Sequence, residues 1–121
     1  MEARGIAQAK RNIRSILSIV DHFRTQFGLN IDELMIFMTV GDLNVSSRKA
    51  EFLYIRPTNM TAVAYNLNIP RETVRRKIRS LADKGLLKVR NREIFVAHLD
   101  DWVAISNKMR EYGEAPTALA S

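Results

Sequence analysis

Nine of the chain's 19 lysines and arginines fall within the 25 residues from Asn68 to Arg92, alongside only two acidic residues, Glu72 and Asp83. The stretch carries a net +7, whereas ten basic and eleven acidic residues nearly cancel over the other 96 positions. So localised a charge is the electrostatic footprint of a polyanion-binding surface. Within it, Val74, Ile78 and Leu81 recur at helical spacing, which places Glu72, Arg76 and Arg79 on the opposite, solvent-facing side, with Arg75 and Ser80 on its flanks. Arginine can pair bidentately with guanine O6 and N7, and glutamate can accept from the cytosine amino group, each contact discriminating by about 1–3 kcal/mol. A carboxylate among so many cations weakens indiscriminate phosphate binding, so Glu72 suits reading more than coating. The plainer reading is a helix-capping Glu72 within a solvated basic face.

Such a helix needs elements to hold it. Met60 to Leu67 reads as a short helix with Val63, Ala64 and Leu67 on its apolar face, capped by Thr58 or Asn59. Asn68 tolerates the left-handed conformation of a tight turn. Pro70 opens the basic helix from about Arg71 to Lys84, and Gly85 stops it. Leu86 to Arg90 and Glu93 to Ala97 then read as a β-hairpin turning at Asn91-Arg92, with Lys88, Arg90 and Arg92 on it or at its tip. A helix fits the major groove of B-DNA, and a basic hairpin beside it can rest on the flanking backbone or minor groove. The expected fold is mainly α with a small β-hairpin wing: a winged helix-turn-helix over 30–97, flanked by terminal helices in a single domain.

The sequence Asn68-Ile-Pro-Arg-Glu-Thr-Val-Arg-Arg-Lys-Ile-Arg-Ser-Leu, ending in Lys84-Gly85-Leu86-Leu87, resembles the recognition helix of bacterial regulators of the catabolite-activator type. The resemblance covers roughly Asn59 to Ala97 and implies base contacts from Arg71, Glu72 and Arg76 and a phosphate contact from Thr73. Asn68 stands where that family commonly has glycine. Only about 58 residues precede the matching region, in place of the family's nucleotide-binding barrel, so its small-molecule switch does not carry over. The layout of a winged domain between terminal helices resembles dimeric regulators of the MarR type.

The resulting candidate set is Arg71, Glu72, Arg75 and Arg76 for bases, and Thr61, Thr73, Lys77, Arg79, Ser80, Lys88, Arg90 and Arg92 for the DNA backbone. Ile6, Ala9, Ile13, Ile16, Val20, Phe23 and Phe27 alternate at three and four, a heptad seam that Gly28 closes. Trp102, Ile105, Met109 and Tyr112 form a second stripe on a helix over 99–112, capped by Asp100. The expected dimerisation set is Ile6, Ile13, Ile16, Val20, Phe23, Trp102, Ile105 and Met109. Between these elements, Asn30 with Glu33 marks a helix start. Ile31, Leu34, Met35, Phe37 and Met38 are its expected core face, and it should end at about Val40 to Leu43, weakened by Gly41. Asn44 to Lys49 reads as a loop, Phe52 to Ile55 as a strand or a helical turn, and 113–121 as a flexible tail.

The chain contains no cysteine, which excludes disulfides, thiolate metal sites and a cysteine nucleophile. His22 and His98 stand apart without ligand spacing, and no nucleophile triad or phosphate loop is present, so neither metal, cofactor nor enzymatic activity is expected. Without a signal segment or membrane span, a cytoplasmic location is expected. The sequence thus predicts a double-stranded-DNA-binding transcriptional regulator acting as a homodimer, its small-molecule effector, if any, unspecified. The alternative is a winged-helix protein-interaction module within a larger assembly. An apolar or acidic helix would favour that alternative. An RNA-binding role would want aromatic stacking platforms, which the basic window lacks.

Overall fold

The computed structural model describes residues 2–49 and 52–113. They fall into two compact units, 2–31 with 104–113 and 32–103. The expected tail beyond Gly113 lies outside the described residues.

In the first unit, α1 (Ala3–Phe27) starts three residues before the seam's first isoleucine. It ends as its sequence requires. Gly28 adopts φ 66°, donating its N–H to the Arg24 carbonyl, and Leu29 N–H reaches back to the Phe23 carbonyl. This double closure satisfies carbonyls that the helix itself leaves unpaired. Phe23 is fully buried, with its ring 5.6 Å from that of Phe27 and 5.0 Å from His22 in an edge-on arrangement. Ile6, Ile13 and Ile16 remain exposed, as does Leu17 beside them.

The second unit is built around α2 (Ile31–Asn44), and here the expected core face needs correcting. Ile31 and Met35 are exposed, whereas Ile36 and Val40 are completely buried together with Leu34 and Phe37. A helix buried on more than one side carries no single apolar stripe, so periodicity misassigned its faces. α2 continues past Gly41 to Asn44, and Gly41 makes room for a ring. Trp102 lies against it, and a β-carbon at position 41 would overlap the indole. The indole Nε1–H donates to the Met38 carbonyl at 3.1 Å. Gly41→Ala should therefore expel Trp102 and cost about 1–3 kcal/mol through overpacking. The check is a lower melting temperature with a shifted emission of Trp102, the chain's only tryptophan; unchanged melting and emission would refute this account of Gly41.

The expected loop after α2 is instead a strand. β1 (Val45–Lys49) pairs antiparallel with β2 (Phe52–Ile55), Val45 facing Ile55 and Ser46 facing Tyr54, with a register irregularity before Lys49 meets Phe52. Val-Ser-Ser-Arg-Lys lacks apolar alternation, and its extended form depends on that partner. α3 (Met60–Leu67) and α4 (Arg71–Asp83) follow, then β3 (Leu87–Arg90) and β4 (Glu93–Val96) as a second antiparallel hairpin. Val63, Val74, Ile78, Leu81, Leu87 and Ile94 are all buried in this unit. α5 (Leu99–Gly113) starts before Asp100, which lies in the first turn with Asp101 rather than at the cap. The carbonyl of His98 accepts from Asp101 and Trp102 N–H, and both aspartates suit the helix's positive end.

Candidate nucleic-acid interface

Local backbone chemistry sets the angle of α4. Asn59 caps α3, its Oδ1 accepting from Ala62 N–H at 2.8 Å. Asn68 ends α3 at φ 54°, and Ile69 N–H bonds the Ala64 carbonyl. Pro70 sits at the cap position, one residue before the helix proper, with its carbonyl accepting from Val74 N–H. At the other end Gly85, at φ 78°, turns the chain into β3. Two-residue hairpins favour positive φ at the first turn position, and Asn91 supplies it at 57°.

Long-range polar contacts then lock α4 and the wing to α2. The buried Glu33 carboxylate accepts from Ser80 Oγ at 2.8 Å and from Lys84 Nζ at 2.9 Å, tying the last turn of α4 to the first turn of α2. Asn44, also buried, donates through Nδ2 to the carbonyls of Arg56 (2.8 Å) and Ile94 (3.0 Å), while its Oδ1 accepts from Val96 N–H (2.8 Å). Thr58 and Ile94 exchange both backbone hydrogen bonds, giving the wing a third, one-residue strand. The wing is thus anchored along β4, from Val96 at its base to Ile94, two residues from the Asn91-Arg92 turn.

Arg71, Glu72, Arg76 and Arg79 are exposed on α4, with Thr73, Arg75 and Lys77 half-buried at its edges. Lys88, Arg90 and Arg92 are exposed on the wing, and Thr61 is exposed on α3. Ser80 stands apart from the other candidates because its hydroxyl proton is donated to Glu33. An open groove between α3, the start of α4 and the wing tip brings Thr61, Arg71 and Arg92 together with Tyr65, Asn66 and Asn91. Sequence reasoning missed Tyr65, which is 86% exposed. Its signal was its place on α3, one position off the Val63, Ala64 and Leu67 face.

One pair on α4 is already formed. Arg75 donates from Nε to Glu72 Oε2 at 3.0 Å and from Nη2 to Oε1 at 2.6 Å. That hydrogen bonding holds the Glu72 carboxyl below its ordinary pKa, helped by the charges of Arg75, Arg76 and Arg79 and opposed by partial desolvation. The same bonds raise the Arg75 guanidinium above its usual value. Glu72 is therefore an ionised carboxylate throughout the neutral range.

No protein-family model and no curated protein matches this chain. Solved structures align along most of it. A disulfide-formed AbfR superposes with a TM-score of 0.65 at 14% identity, covering 96% of this chain and 78% of that one. The fold is a MarR-like winged helix. AbfR of Staphylococcus epidermidis aligns with a TM-score of 0.55 at 14% identity, over 91% of this chain and 70% of that one. A MarR/EmrR family transcriptional regulator from Acinetobacter sp. ADP1 gives 0.53 at 15% identity, over 98% and 87%. The likeness of α4 to the catabolite-activator type rests on its sequence motif alone. The disulfide of the first neighbour has no counterpart here, because the 121 residues include no cysteine. Among the described residues, no helix is long and apolar enough to cross a membrane.

Proposed function

We propose that this chain is a transcriptional regulator that binds double-stranded DNA sequence-specifically as a homodimer. The observation that carries the reading is the exposed face of α4, where Arg71, Arg76 and Arg79 surround Glu72 beside a wing tip carrying Arg90 and Arg92. The Acinetobacter protein with the same fold is described as a transcriptional regulator, which supports the assignment. In this reading α4 enters the major groove, Arg71, Glu72, Arg75 and Arg76 line the edge that faces the bases, and Thr61, Thr73, Lys77 and Arg79 hold phosphates. Lys88, Arg90 and Arg92 follow the adjacent backbone or minor groove. No cofactor is needed for any of these contacts.

Selection of bound sequences from a random duplex pool at physiological salt is the direct test, since recovery of a defined motif is required. Arg76→Ala should then cost about 1–3 kcal/mol on the selected duplex and relax preference at one or two positions. Equal loss on selected and scrambled duplexes would remove Arg76 from base reading. Neutralising Arg90 and Arg92 together should weaken binding to every duplex and lower the salt slope by about one to two units, at about 0.9 per phosphate released. An unchanged slope would exclude the wing from the interface.

A further inference from the structure

We propose that Glu72 and Arg75 work as one reading unit, in which Glu72 positions the guanidinium of Arg75 to read a guanine and does not itself read a base. The inference rests on the proposal that α4 reads duplex DNA. It starts from which donors the pair uses. Of the five N–H groups of a guanidinium, the contact with Glu72 engages Nε–H and one Nη2–H, the side-on edge. Both Nη1–H groups and the second Nη2–H remain. They lie along the outer edge of the same plane, and two near-parallel donors are what guanine O6 and N7 require.

Glu72, by contrast, has each oxygen already accepting a charge-assisted bond, one of them 2.6 Å long. Reading a cytosine amino group would have to use the second lone pair of an oxygen already turned toward Arg75, so the pair leaves the guanidinium's free edge better placed to read than the carboxylate. The arrangement is built into the helix, because residues three apart share a face and glutamate stands N-terminal to its cationic partner. The side chains of Glu72 and Arg75 are 66% and 40% exposed, and an ion pair so open to water does little for folding. Its consequence is conformational. A lone arginine must immobilise a long, flexible chain when it binds, whereas Glu72 biases this one toward a single plane beforehand. Exclusion of water at a protein–DNA interface would strengthen the pair further.

The experiment compares the full chain with Glu72→Gln, Arg75→Lys and the double variant. Each is measured on the selected duplex and on a set in which every base pair is changed singly. Preference ratios are the readout, because removing the Glu72 charge raises affinity for all duplexes alike. Both single variants should lose about tenfold of preference for guanine at the same base pair. The double variant should lose no more than Arg75→Lys alone, since the two residues make one contact. Losses at different base pairs that multiply in the double variant would make Glu72 a reader in its own right and overturn the proposal. An intact preference in Glu72→Gln would overturn it equally. A wild-type chain with no base preference at any position would instead refute sequence-specific binding, and the reading unit with it.

Discussion

Replacement of Asn44 by leucine should lower stability by about 3 kcal/mol, although the substituted side chain is apolar and the site is buried, because it leaves backbone groups without partners. Asn44 makes three hydrogen bonds from a position that is 1% exposed. The Ile94 carbonyl keeps its bond from Thr58 N–H, but the Val96 N–H and the Arg56 carbonyl each lose the partner Asn44 supplies. Each such loss costs about 1–3 kcal/mol. The backbone N–H of Arg56 also bonds the Asn44 carbonyl, so the residue joins the end of α2 to β2 and to the wing at once. At roughly 5 °C per kcal/mol for a chain of this size, the melting temperature should fall by about 10–15 °C. Amide exchange at Val96 should accelerate in parallel. Retained melting temperature together with retained Val96 protection would show that the network does not hold the wing.

That network also marks where the sequence stopped being informative. The helix-turn-helix and wing were readable because each junction carries its own chemical signal: Asn59 as cap, Asn68, Gly85 and Asn91 at positive φ, and Pro70 before the helix. Val74, Ile78 and Leu81 then fixed which side of α4 faces inward, and burial matches that assignment. Asn44 and Glu33 carry no local mark of the long-range bonds they make. Their partners lie 47 to 52 residues away in Ser80, Lys84 and Val96, and a polar residue reads as a turn or a cap until those partners are known. Gly41 has the same ambiguity, since only Trp102 explains why a helix interior tolerates glycine there. The pairing of Glu72 with Arg75 lies within reach of helical spacing. The i,i+3 separation was visible, but the choice of partner among Arg75, Arg76 and Arg79 is a matter of side-chain geometry.

The N-terminal seam bears on the proposed dimer, and the expected outcome there is the larger one. Ile13→Glu with Ile16→Glu should yield a monomer whose affinity for its preferred duplex is lower by about 10²–10⁴-fold, the factor lost when a second binding event ceases to be intramolecular. These two positions are chosen because both are exposed in the protomer, Ile16 at 57%, so charge there leaves the chain's own core intact. Ile6 and Leu17, the latter 62% exposed, extend the same stripe over more than three turns of α1, and Val20 continues it at half burial. Phe23, Trp102 and Ile105 are different. Phe23 and Ile105 are buried within one chain, and Trp102 is seated on Gly41, so their substitution would unfold the protomer rather than separate two copies. Met109 is half-buried on α5. A two-fold axis through such an interface presents two copies of α4, and the preferred duplex should then be an inverted repeat with half-sites about 34–36 Å apart or a multiple of that. Sedimentation velocity at micromolar concentration reads the state of both proteins. A wild-type chain that sediments as a monomer and protects one unpaired half-site would sink the dimer, and the exposed isoleucines of α1 would then need another partner.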